Sequence, residues 1–149
     1  MKTVLIVGDE PAARQLYRDA LEGEAYCVLE AHEADTALWL LRTATVDLAV
    51  LDIPTARSLG LELLDAIHRS WPALPVVLCS GTSQIFDDYV VWRASTQVAG
   101  IFCKPVDMRA LLDSVRLAFD GTPWSRERPL PRPQDVSLGA AEAACKEHP

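Results

Sequence analysis

Short apolar runs alternating with helix-period segments predict an α/β fold, a parallel sheet covered by helices on both faces. Five runs have the length and apolar character of buried strands, and five intervening segments repeat apolar residues at three- and four-residue spacing. Their strict alternation is the third observation. A parallel strand pair cannot be closed by a tight turn, so it needs a crossover, and the crossover helix must bury its apolar stripe on the sheet.

The elements follow in order. TVLIV (3–7) reads as the first strand and PAARQLYRDALEGE (11–24) as the first helix. There Ala13, Leu16, Tyr17, Ala20 and Leu21 recur at helical spacing, and Pro11 suits a first-turn position where its missing N–H costs little. YCVLEA (26–31) is the second strand, EADTALWLLRTA (33–44) the second helix, and VDLAVL (46–51) the third strand. SLGLELLDAIHRS (58–70), the strand PVVLC (75–79) and QIFDDYVVWRAS (84–95) continue the alternation. VAGIFC (98–103) is the fifth strand, and VDMRALLDSVRLAF closes the fold with Met108, Leu111, Leu112, Val115 and Phe119 on one stripe.

Composition narrows the function classes. The chain has 149 residues, 50% apolar and 23% charged, enough for one ordinary domain, and its net charge of −7 argues against direct binding to a phosphate backbone. The four cysteines, Cys27, Cys79, Cys103 and Cys145, form no CxxC pair and no cluster with the three histidines, so a disulfide framework and a zinc site are not expected. Apolar runs fall far short of the ~20 residues that span a bilayer, and no signal peptide opens the chain. A reduced, cytoplasmic setting is expected. From residue 120 the composition changes: 120–149 holds Pro123, Pro129, Pro131, Pro133 and Pro149 with few apolar side chains, which predicts an extended tail beyond a folded body at 2–119.

In open parallel sheets the working site lies at the carboxyl ends of the strands. Those ends carry Gly8-Asp9-Glu10, Asp52, Ser80-Gly81 and Lys104-Pro105. Clustered carboxylates need a cation, and an all-oxygen set suits Mg2+ or Mn2+. With Lys104 and Ser80 nearby, the set suits a phosphoryl group, Asp52 being the acceptor, and Lys104 and the metal offsetting charge during attack. Ser80 would then hydrogen-bond the new group and move the loop after it, converting a charge event into a surface change.

The segments VGDEP, DLAVLDIP with LGLELL, VVLCSG and FCKPVD together resemble the receiver domain of two-component response regulators, over about residues 2–119. The resemblance implies a flavodoxin-like receiver fold with strand order 2-1-3-4-5. It further implies that Asp9, Glu10, Asp52 and the backbone carbonyl of Pro54 hold Mg2+, that Asp52 is phosphorylated by a histidine kinase or phosphotransfer protein, and that Ser80 and Lys104 contact the phosphoryl group. Gly60 matches the glycine of the loop-to-helix segment. The expected chemistry is self-phosphorylation and self-dephosphorylation rather than turnover. Output is expected through an unknown protein partner, by way of a face made of the helix at 84–95, the fifth strand (98–103) and the last helix VDMRALLDSVRLAF, with Val91 and Trp92 as contacts, or through pairing of two phosphorylated copies. A stand-alone receiver, without nucleic-acid binding or membrane insertion, is the overall expectation.

The chain departs from the family pattern in two places. Ile101 stands where the family has an aromatic switch residue, and the loop IPTARSLG lacks the proline four places after the aspartate. Pro54 and Thr82 occupy the positions that set the dephosphorylation rate in relatives, and since proline offers no polar group to orient water, slow self-dephosphorylation is expected. Two alternatives stay open: a binding module with this fold that is not regulated by phosphorylation, and an enzyme, either an aspartate-based phosphohydrolase or a flavin-binding relative. Against the phosphohydrolase, the second aspartate of its nucleophile motif is Pro54 here. Cys79 and Cys103 are expected side by side on neighbouring strands, as buried apolar thiols.

Overall fold

A computed structural model of the chain describes residues 1–53, 58–81 and 97–121. Strands β1 (Thr3–Val7), β2 (Cys27–Ala31), β3 (Leu48–Ile53), β4 (Val76–Ser80) and β5 (Val98–Cys103) form one sheet in the order β2-β1-β3-β4-β5. All four pairings are parallel. The described helices are α1 (Pro11–Gly23), α2 (Ala34–Thr43), α3 (Ser58–Ser70) and α4 (Met108–Phe119). The predicted α/β class and the 2-1-3-4-5 order are thus both observed. The helix expected at 84–95, with Val91 and Trp92, lies outside the described residues, as do Pro54, Thr82 and the chain beyond Gly121.

Period-two alternation along each strand splits the core into two layers. Val4, Ile6, Val50, Val77 and Cys79 face α1 and α4, where Tyr17, Leu21, Leu111 and Val115 are buried. Leu5, Val7, Ala49, Leu51, Ile53 and Leu78 face α2 and α3, packing on Ala37, Leu41, Leu64 and Ile67. Each fully buried Leu or Ile contributes on the order of 2 kcal/mol. Leu16 departs from the expected α1 stripe and is 62% exposed, because it sits just off the edge of the face that Tyr17 and Leu21 bury.

Three strands differ from the sequence reading. β2 starts at Cys27, β3 starts at Leu48 and runs through Asp52 to Ile53, and β4 runs from Val76 through Ser80. The cause at the ends of β3 and β4 is the partner strand: Asp52 pairs with Cys79 and Ile53 with Ser80, so the ladder continues past the apolar runs. Side-chain hydrogen bonds fix several ends. Asp47 Oδ2 accepts from Thr3 N at 2.8 Å, and Gln97 ties α3 to the start of β5 by donating to the Trp71 carbonyl at 2.7 Å while lying 3.0 Å from His68 Nδ1. Asp107 caps α4, accepting from Arg109 N and Ala110 N.

Candidate functional site

The site forms at the carboxyl end of the sheet because the two central strands, β1 and β3, end there beside β4 and β5. Asp52 is the fifth residue of β3 and only 7% exposed. Its Oδ1 lies 2.5 Å from Lys104 Nζ. Lys104 is placed by a continuation of the β4–β5 ladder, in which Lys104 N donates to the Ser80 carbonyl at 2.8 Å, and its peptide bond to Pro105 is cis. Ser80 is fully buried. Three residues singled out from the sequence, Asp52, Ser80 and Lys104, are therefore brought together.

The end of β1 approaches Asp52 from the other side. Gly8 N donates to the Ala31 carbonyl at 3.0 Å, and a Cβ on Gly8 would stand 3.0 Å from Asp52 Cβ and 3.3 Å from Oδ2. A side chain at position 8 would press on Asp52, which would have to give by a few tenths of an ångström, so glycine lets the two strands' ends approach without that shift. Asp9 and Glu10 follow, both exposed. Among the described residues no three His, Cys, Asp or Glu side chains close on a common point, so the expected acidic set is open rather than a preformed cage.

Electrostatics agree with an open, under-neutralised anionic site. Burial pushes the Asp52 carboxyl above its ordinary range. The Lys104 hydrogen bond and charge pull it back, Glu10 and Asp9 push it up again, and the net direction is upward. Among the described residues, Oδ1 has the Lys104 ammonium beside it and no neutral hydrogen-bond donor. A buried carboxylate oxygen of this kind, with further carboxylates in range and one ammonium, fits a divalent cation that keeps several waters and takes only one or two carboxylates. Beneath it lies Tyr17, whose hydroxyl donates to Cys79; burial holds the phenol far above its usual range and pushes the thiol up to about 12.

Two features are not visible in the motif reading. Arg14 donates from Nη1 to the Gly8 carbonyl at 2.6 Å and from Nε to Glu30 Oε1 at 3.1 Å, and Arg18 pairs with the other oxygen of Glu30. Burial opposes the Glu30 charge, but these two guanidinium groups hold its carboxyl below the ordinary range. A sequence signal existed: two arginines one helical turn apart, on a helix whose other inward residues are apolar. The second feature concerns the cysteines. The β4–β5 register shifts at Val76/Val77, so Cys79 pairs with Phe102 and Ser80 with Cys103. Cys79 and Cys103 therefore occupy opposite faces instead of lying side by side, and only Cys79 is a free buried thiol: Cys103 is half-buried and disulfide-bonded, against the expectation of no disulfide. Ile101 pairs with Leu78 and packs half-buried on the α2/α3 layer.

Residues 4–116 match the response regulator receiver domain, and the chain belongs to that family. The KDP operon transcriptional regulatory protein KdpE of Escherichia coli is 38% identical over 119 residues, covering 80% of this chain and 52% of KdpE. The nitrogen assimilation regulatory protein NtrX of Azorhizobium caulinodans is 43% identical over 84 residues, covering 55% of this chain and 18% of NtrX. The chain thus spans about half or less of these relatives. Among solved structures, a CheY-like receiver domain protein from Methanospirillum hungatei aligns with a TM-score of 0.71 at 27% identity, over 81% of this chain and 95% of that one. Response regulator TrrA from Thermotoga maritima, solved in complex with Mg2+ and BeF, aligns with a TM-score of 0.69 at 27% identity, over 78% of this chain and 97% of that one. Among the described residues no helix is long and apolar enough to cross a membrane.

Proposed function

We propose that this receiver domain is a phosphorylation switch in which Asp52 accepts a phosphoryl group from a histidine kinase or phosphotransfer protein. The observation that carries the reading is the buried Asp52 carboxylate, within 2.5 Å of the Lys104 ammonium and beside the last residue of β4. Asp9, Glu10, Asp52 and the Pro54 carbonyl would hold Mg2+ or Mn2+, whose chemistry is to offset negative charge as a phosphoryl group approaches. Asp52 supplies the attacking oxygen, Lys104 the fixed positive charge, and Ser80 a hydroxyl toward the new group. A cytoplasmic setting suits such a partner. Output through a downstream protein belongs to this reading, as does a role of 120–149 as a Pro-rich tail.

Incubation with Mg2+ and acetyl phosphate is expected to add one phosphoryl group by intact mass, and the gain should vanish in Asp52→Ala and under chelation. Decay of the phosphorylated protein is expected to be slow, and to quicken in Pro54→Asn, since Pro54 and Thr82 stand at the rate-setting positions. No mass gain in folded protein would overturn the reading. The second reading, a binding module not regulated by phosphorylation, is favoured by Ile101: it packs into the α2/α3 layer and offers no ring to couple to Ser80.

A further inference from the structure

Arg14 links three things: helix α1, the edge strand β2 and the backbone immediately before Asp9. Its side chain is only 17% exposed. One nitrogen donates to the Gly8 carbonyl at 2.6 Å, another to Glu30 at 3.1 Å, and its own backbone N–H donates to the Glu10 carbonyl at 3.1 Å. Glu30 pairs with Ile6, so it points to the face that carries α1, and Arg18 one turn later holds its second oxygen. Among the described residues the loop from Gly8 to Glu10 has few other fixings: Gly8 N is held by the Ala31 carbonyl, and Glu10, at the start of α1, makes no side-chain cap. Gly8 in turn lies against Asp52 closely enough that a Cβ there would be 3.0 Å from Asp52 Cβ.

We propose that Arg14 is a positioning residue, which clamps the Gly8 carbonyl and so holds the Gly8–Glu10 loop beside Asp52, from where Asp9 can reach a divalent cation. The planar fork can bond two oxygens at once, which an ammonium on a flexible stem cannot do with the same geometry. Glu30 sets the direction of the fork, and Arg18 shares the load on Glu30 without touching the loop. Residues that orient ligands rather than bind the ion typically change metal affinity 10- to 100-fold when removed. The inference deepens the phosphoacceptor reading and shares its site.

Free Mn2+ followed by electron paramagnetic resonance measures binding without any phosphorylation. Arg14→Ala is expected to weaken Mn2+ binding roughly tenfold, with Arg14→Lys in between. Arg18→Ala removes the other half of the Glu30 network but spares Gly8, so it should bind Mn2+ as the wild type does while losing comparable thermal stability. Unchanged binding in Arg14→Ala, equal weakening in the two alanine variants, or no Mn2+ binding by the wild type would each overturn the proposal. Should Arg14→Ala not fold, the comparison of Arg14→Lys with Arg18→Lys decides it, only the former being expected to weaken binding. Acetyl phosphate labelling of the wild type reports separately on the phosphoacceptor reading. Arg14-dependent Mn2+ binding without labelling would keep the clamp and remove that reading.

Discussion

Asp52 spends folding stability for reactivity. Its folded-state pKa lies above the ordinary carboxylate value, so the folded protein holds that proton more tightly than the unfolded chain does. Such a group favours folding at acid pH, and the benefit is lost as pH rises through the raised value. At neutral pH the buried charge is therefore a cost. Asp52→Asn is expected to raise stability by about 1 kcal/mol, roughly 4 °C in melting temperature, near pH 7. The gain should shrink as the pH falls toward about 4. Thermal melts across that range check it, and a gain independent of pH would mean that burial of the charge is not the cause. At this scale the sequence is informative where a residue follows an apolar run, as Asp52 and Lys104 do. It is silent on Gly8, whose close approach to a side chain on β3 exists only once the strands pair, and on Arg14, whose partner Glu30 is reached only through the β1–β2 pairing.

At the scale of elements, apolar runs locate the strands, and hydrogen-bonded neighbours decide where they end. β3 extends through Asp52 because β4 offers it a partner, which no property of 46–51 alone reveals. The β4–β5 irregularity is equally hidden. It falls where Gly100 comes so near α4 that a Cβ would meet Ser114 Oγ at 2.9 Å, and that approach exists only once helix and sheet have packed. Helix starts are more legible. Asp107 precedes the α4 stripe and does cap it, with Oδ1 accepting from Arg109 N at 3.0 Å and Ala110 N at 3.3 Å. Asp107→Ala is expected to lower the unfolding free energy by about 1 kcal/mol in urea titrations, with no change in the slope. An unchanged midpoint would show that the cap contributes nothing net. Because α4 covers the layer below Asp52, stability lost here is lost beneath the site.

For the whole molecule, an ion that binds the folded chain and not the unfolded one should register as global stability. Mg2+ at ten times its dissociation constant is expected to stabilise the protein by about 1.4 kcal/mol. Melts with Mg2+ and with a chelator test this, and an equal rise in Asp52→Asn would place the ion elsewhere. Fold class and strand order were legible in the alternation and in the four separated motifs. The openness of the acidic set was not, since it depends on how the Gly8–Glu10 loop is held. The edge position of β2 has one more consequence. A sheet edge carries unpaired backbone groups that invite another strand, and a charged residue turned inward on such a strand makes lateral addition costly. Glu30 is that residue, with two guanidinium groups fixed on it. The carboxylate that steadies the loop also guards the chain against edge-to-edge aggregation, so replacing it with valine should make solutions turn cloudy on gentle heating.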